Sequence, residues 1–315
     1  MNLNKLLIVI FMMAVLLFGL NVGKALAVEG GLGHYPSGAQ DFMMGAAPPP
    51  GFYFENLFLY YNITDYRDIR GAGGVPIKDM GIGKPDVKGY AFIDALRLIY
   101  VTKTKVLGAN AFFHILQPFA YLHLEAQVPG MELGTDTKSG LGDTDVAAGL
   151  AWHINKNLHV MAGLDLFLPT GAYDRDDMAN PLANNFYTFM PMAMISYITD
   201  GGWEASTMLM YNINTTNTQT GYSSGQEFHA DYVLGKHCGK WAYGINGYYY
   251  YQTTKDDMRG QDPTFDGNKG RIFAFGPAVE YNYKNMFFKF KYQYETAVTN
   301  KPEGQRWWFN YIYAF

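Results

Sequence analysis

The chain has 315 residues, with 24 Lys and Arg against 28 Asp and Glu, a net charge of −4 and a single cysteine. The acidic balance excludes a nucleic-acid surface, which needs a basic stripe, and one cysteine excludes an internal disulfide. Composition is 49% hydrophobic and 17% aromatic but only 17% charged, with 35 glycines, a mixture that suits tightly turned strands around a wet interior.

Residues 1–27 read as a cleaved export signal. Lys5 is the charged leader, Leu6 to Leu20 is an apolar run, and Ala25-Leu26-Ala27 is a small-x-small cleavage site. The run falls short of the roughly 20 residues that span a bilayer. A mature chain from Val28 carries 22 basic and 28 acidic residues, a net charge of −6, and holds no run long enough for a spanning helix. Residues 28–50 show neither a period of 2 nor one of 3.6. Pro48-Pro49-Pro50 is a stiff, extended stretch without ladder donors. The expectation is an irregular segment on the periplasmic side or tucked into a lumen, with His34, Tyr35, Asp41 and Phe42 as candidate plug residues.

From Gly51 onward twelve strands are predicted, near 51–63, 88–101, 106–125, 143–155, 157–168, 185–199, 202–213, 225–235, 239–252, 270–284, 286–297 and 304–315. Links after the even-numbered strands are short: Thr102 to Lys105, Lys156, Asp200-Gly201, Lys236 to Cys238, and Asn285. Links after the odd-numbered strands are mostly long, as in 64–87, 169–184 and 253–269. Short turns at one end, long loops at the other and an even strand count are the pattern of an outer-membrane barrel.

Alternation supports individual strands. In the last, Trp307, Phe309, Tyr311, Tyr313 and Phe315 share one face, while Arg306, Trp308, Asn310, Ile312 and Ala314 share the other. In 286–297, Phe288, Phe290, Tyr292 and Tyr294 oppose Lys289, Lys291, Gln293 and Glu295. In 157–168, leucines and Val160 oppose His159, Met161, Asp165 and Phe167. In 225–235, Phe228, Ala230, Tyr232 and Leu234 oppose His229, Asp231 and Val233. Rings pointing into lipid and polar groups pointing into a lumen satisfy this division. The first three strands are less tidy: Asp94 and Arg97 fall on opposite faces, so both cannot point inward. The fold class is thus all-β, a transmembrane antiparallel up-and-down barrel of about 12 strands, in three segments: signal 1–27, irregular segment 28–50 and barrel 51–315.

The inward polar candidates are Lys289, Lys291, Gln293, Glu295, Glu204, Glu280, Asn282, His229, Asp231, His159, Asp165, His153 and Asp145. Phe167, Tyr248, Tyr250, Met161, Met208, Met210 and Trp308 share their faces. A lining with both rings and polar groups suits a small amphipathic solute. No metal or cofactor site is expected: His237-Cys238 lies in a turn with too few ligands. Asp174 to Asp177 and Asp256-Asp257 lack the spacing and bidentate Glu of a calcium loop, and Asp143-Thr144-Asp145 reads as a turn.

Several motifs carry a family resemblance. Gly33 to Phe42 (GHYPSGAQDF) followed by Pro48-Pro49-Pro50-Gly51-Phe52-Tyr53 is one. Gly140-Leu141-Gly142-Asp143-Thr144, Pro169-Thr170-Gly171-Ala172-Tyr173-Asp174, Asn212-Ile213-Asn214 and Ser224 to Phe228 are others, with Gly276-Pro277-Ala278 and Asn300 to Gly304 completing the set. Over residues 30–315 the chain resembles the outer-membrane proteins of the "MetA-pathway of phenol degradation" family. The resemblance implies an outer-membrane barrel passing aromatic or other hydrophobic compounds, and brings no established set of functional residues.

The expected function is therefore a bacterial outer-membrane channel for small hydrophobic or aromatic, phenol-like compounds. Its expected partners are the lipid bilayer, those solutes, and the outer-membrane assembly machinery through the aromatic C-terminal strand. One alternative is a structural or adhesive barrel without transport. An enzyme such as a barrel hydrolase is disfavoured, because no Gly-x-Ser-x-Gly elbow occurs and Ser206 and His229 are expected on opposite faces of adjacent strands.

Overall fold

Strands that alternate rings and polar groups leave their backbone groups unmatched only at sheet edges, and a sheet that closes on itself has none. The computed structural model describes residues 33–67, 86–128, 131–175, 183–260 and 268–315; the expected signal at 1–27 lies outside them. The strands are β1 (Gly51–Arg67), β2 (Asp86–Val106), β3 (Ala109–Val128), β4 (Met131–Leu141), β5 (Thr144–His153), β6 (Leu158–Leu168), β7 (Thr188–Ile198) and β8 (Trp203–Asn214). There follow β9 (Thr216–Asn217), β10 (Tyr222–Ser223), β11 (Glu227–Cys238), β12 (Trp241–Gln252), β13 (Asp257–Met258), β14 (Arg271–Tyr283), β15 (Met286–Thr299) and β16 (Lys301–Ala314). The short strands β9, β10 and β13 make a small separate sheet among the long connections.

All the others form one antiparallel sheet. β4 and β5 are two halves of a single wall position. β3 pairs with β4 from Phe119↔Leu141 outward and with β5 from Leu116↔Asp145 in the other direction. The wall thus has twelve positions, and β1 pairs with β16 from Tyr53↔Ala314 to Arg67↔Lys301, closing the cylinder.

Several boundaries differ from the sequence reading, each because the ladder runs on past the expected turn. β2 continues to Val106 and turns at Leu107-Gly108, both at positive φ (52° and 79°), the mirror-image turn whose twist matches a hairpin. The expected link at 126–142 is mostly strand, since β3 and β4 continue as a paired ribbon. The expected turn at Lys236 to Cys238 is still strand; β11 and β12 turn at Gly239-Lys240.

The outward face is apolar. Phe52, Leu98, Leu234 and Ile245 are each more than half exposed, which a wall in contact with lipid accommodates and a water-facing one does not. Trp203 and Trp241 mark the short-turn rim, with Lys236 Nζ 5.0 Å above the Trp203 ring, as at a membrane–water boundary. The structure divides the ambiguous pair in β2: Arg97 faces inward, while Asp94 faces outward and accepts from Asn56 Nδ2.

The interior has two unlike walls. From β8 round to β16 it carries most of the buried polar groups, among them Glu204, Asp231, Lys291, Gln293 and Glu295, while β7 presents Met190, Met192 and Met194. Across β1, β2 and β3 it is mainly apolar, with Leu57, Leu59, Ala91, Ala95, Ala120 and Leu122 buried.

Candidate functional site: a bound segment and the chamber beside it

Residues 34–45 lie inside the cylinder, because the polar wall supplies partners for a segment that cannot pair its own backbone. Asp231 organises the middle of it. Its carboxylate accepts from Tyr35 Oη at 2.6 Å, Gly38 N at 2.8 Å and Gln40 N at 3.1 Å. Burial first, and then the Asp231 charge, raise the Tyr35 phenol, so it stays a donor. Ser37 Oγ bonds His229 Nδ1 at 2.8 Å, Arg306 Nη1 donates to Ser37 O at 2.8 Å, and Gln293 Nε2 donates to Gly38 O at 3.0 Å.

The two ends are fixed by charge. His34 Nε2 donates to Asp143 Oδ2 at 2.7 Å, and its ring stacks on Phe167 at 5.1 Å. Asp143 also accepts from Gly171 N and Asn184 N, both at 2.8 Å. Farther along, Asp41 accepts from Lys289 Nζ at 2.6 Å and Lys291 Nζ at 3.1 Å. Burial opposes ionisation of Asp41, but the two ammonium groups outweigh it and hold the carboxyl below its ordinary range. Met43 N donates to Glu204 Oε1 at 2.5 Å and Gly45 N to Ser196 Oγ at 2.8 Å. Phe42 is buried near Gly235 and His237.

The remaining candidates divide by position. Glu295 accepts from Arg306 Nε at 2.7 Å, Tyr61 Oη at 2.8 Å and Tyr248 Oη. Tyr250 Oη donates to Glu227 Oε1 at 2.6 Å, and Glu280 lies 3.3 Å from Lys289. His159 is not among this group: it bonds His153 at 2.7 Å beside the short β5–β6 turn. Ser206 and His229 both face inward, contrary to expectation, because the inward positions of β8 are the even ones. They are nevertheless four residues apart in register, Ser206 opposite Val233 and His229 opposite Met210, roughly 13 Å along the strands at about 3.3 Å per residue, and are no nucleophile–base pair.

Between the bound segment and the apolar wall lies a cavity of about 170 Å³, lined by Leu57, Leu59, Ile93, Leu116, Phe167 and Met208 among others. Its polar border includes Arg97, Asp143, Asp145 and Asp165 at one end, His229, Lys301 and Arg306 from the polar wall, and the segment's own His34 and Tyr35. Sequence reasoning missed Glu55, His114 and Asp143 and left Arg97 unassigned between the two faces. Glu55 is the lone acid in the first half of a strand with apolar residues on both faces. Asp143 stands in a motif read as a turn, and it is the break between β4 and β5 that turns it toward His34.

Residues 65–311 match the family described as "Putative MetA-pathway of phenol degradation". The chain belongs to that family. This family member is similar in fold to the COG4313 outer-membrane channel from Pseudomonas putida F1, with TM-score 0.71 at 18% identity, covering 85% of this chain and 97% of that one. More distant are the transport unit of the autotransporter AIDA-I from Escherichia coli (TM-score 0.49, 10% identity, 87% and 94% covered) and a Pseudomonas aeruginosa FadL homologue (TM-score 0.44, 8% identity, 93% and 100% covered). No match was found among curated proteins. The family member is an outer-membrane β-barrel of twelve wall strands.

Proposed function

We propose that the protein is a channel for small hydrophobic or aromatic compounds, held shut at rest by residues 33–50. The observation that carries this reading is the 170 Å³ chamber between the bound segment and the apolar wall. A cavity of about 150 Å³ with apolar lining holds benzene, so the volume suits a one-ring solute. An interior meant only for ions and water has no use for Leu57, Ile93 and Leu116 on three adjacent strands. The polar wall serves a second purpose in this scheme: Asp231, Lys289, Lys291, Gln293 and Arg306 hold the plug, and its displacement joins the chamber to the rest of the bore. The similar barrel from P. putida is an outer-membrane channel, which supports the same reading.

The competing reading is a closed structural barrel, favoured by the number of bonds holding residues 34–45. Liposome swelling separates the two. Proteoliposomes of the full chain and of a variant lacking residues 33–47 are challenged with a graded series of one-ring alcohols and with sugars of equal mass. Faster entry of the aromatic series, increased by the deletion, supports the channel. Equal impermeability of both proteins overturns it.

A further inference from the structure

Five neighbouring wall positions each contribute one ionisable group to a cluster, Glu55 on β1, Arg97 on β2, His114 on β3, Asp145 on β5 and Asp165 on β6, of which Arg97, Asp145 and Asp165 line the chamber. Their bonds have a fixed direction. Arg97 Nη1 donates to Glu55 Oε2 at 3.2 Å, and Nη2 meets His114 Nδ1 at 2.6 Å. A guanidinium has no lone pair to offer, so Nδ1 accepts and the imidazole proton stays on Nε2. That proton is donated to Asp145 Oδ2 at 2.9 Å.

The chain of bonds stops there. Asp145 Oδ1 and Asp165 Oδ1 are buried without a hydrogen-bond partner, in side chains whose residues are only 5% and 3% exposed. Asp145, Asp165 and His114 each present an atom within 4.8 Å of the others, and both aspartates line the chamber. Within this group three carboxyls face one guanidinium, so full ionisation would leave two negative charges uncompensated. Two close carboxylates do not both ionise at low cost without a nearby positive charge, and an unpaired buried carboxylate oxygen is costly.

We propose that Asp145 and Asp165 are a cation-recognition site at the end of the chamber, and that it takes a small aromatic or aliphatic ammonium. The inference rests on the chamber being part of the solute path. An ammonium supplies three N–H donors and one positive charge in a compact head, and the two free oxygens accept from it. The apolar body then lies against Phe167, Leu116 and Leu57. A transition metal fits less well. The only nitrogen in the group that reaches the carboxylates carries the proton enforced by Arg97, which leaves two carboxylates where a tetrahedral site needs three or four protein ligands. Calcium or magnesium requires six or more oxygens.

The test is calorimetric titration of the purified full chain in detergent with benzylammonium, benzyl alcohol, benzoate and zinc ion at pH 7. The ammonium is expected to bind at least tenfold more tightly than the alcohol of the same shape, with benzoate not binding. In Asp165→Asn and Asp145→Asn the preference is expected to fall below threefold while benzyl alcohol binding stays within twofold, which also reports that each variant has kept the chamber. Equal affinity of wild type for ammonium and alcohol overturns the proposal without any variant. So does stoichiometric zinc binding that displaces the ammonium, which would make the pair a metal site. Rapid liposome entry of benzyl alcohol with no ammonium binding removes this inference and leaves the channel reading standing. Tight ammonium binding with no aromatic entry does the reverse.

Discussion

Asp41 is the point at which the closed state is most open to test. Its carboxylate is 3% exposed and lies between two ammonium groups, Lys289 at 2.6 Å and Lys291 at 3.1 Å. Asp41→Asn keeps the size and one acceptor but leaves Lys291 without its ion-pair partner and Lys289 with Glu280 alone. Removing one partner of a buried pair costs about 3–5 kcal/mol, and the retained amide puts this case near the lower figure. At about 1.4 kcal/mol per decade, the plugged state loses roughly a hundredfold in population relative to the released state. Single-channel recording in planar bilayers reads this as a roughly hundredfold larger open fraction. The pH dependence has a definite sign. Because the folded-state carboxyl is held low, its contribution is present above the ordinary value of 3.8 and is lost as pH falls below it. Wild type is expected to open on acidification below about 3.8, and the variant to be insensitive there. An unchanged open fraction in Asp41→Asn, in a barrel whose 33–47 deletion conducts, would refute the latch.

Gly38→Ala should also release the segment. Gly38 has φ +84°, and a Cβ there would sit 2.5 Å from Gln293 Oε1 and 2.7 Å from Tyr248 Cδ1, an overpacking worth about 1–3 kcal/mol; proteolysis of residues 33–47 is expected to accelerate about tenfold. Asp94→Leu replaces an outward carboxylate flanked by Phe92 and Leu96 and is expected to raise the urea midpoint of the liposome-embedded barrel by an amount equivalent to about 1 kcal/mol; a lower midpoint would contradict a lipid-facing Asp94. Asp256, outside the wall, accepts from Gln252 Nε2 at 2.9 Å and Asn268 Nδ2 at 2.8 Å, and burial raises its carboxyl to about 6. The stability it confers is therefore full below the ordinary 3.8 and lost as pH rises through about 6, at most about 3 kcal/mol at about 1.36 kcal/mol per unit. Protection factors of the Tyr222 and Ser223 amides, which remove the intrinsic pH dependence of exchange, should be higher at pH 5 than at pH 7.5, and Asp256→Asn should abolish the difference.

The sequence was most legible where the two faces of a strand differ most. β15 and β16 separate Phe290 and Phe309 from Lys291 and Arg306, and their inward and outward assignments follow from alternation alone. The signal fails across β1, β2 and β3, where Leu57, Ile93 and Leu122 are as apolar as the rings on the outside. That failure falls on the chamber wall, since an apolar lumen lining erases the contrast that periodicity reads. The contacts of the bound segment were out of reach for a different reason. Asp41 meets Lys291 across 250 residues, and Asp143 meets His34 across 109, separations that no local pattern encodes. Turn positions were misjudged where polar residues such as Lys103 and Lys105 continue a strand beyond the lipid.

If the bound segment gates the bore as proposed, the proline run joining it to β1 sets how the bore opens. Extended as polyproline, the five residues 46–50 would reach at most about 15 Å at about 3.1 Å each. A released segment therefore stays leashed to the first wall strand and swings about its root instead of diffusing away. Recapture is a first-order event at an effective concentration in the millimolar range, so each barrel reseals itself at a rate independent of how many neighbours it has.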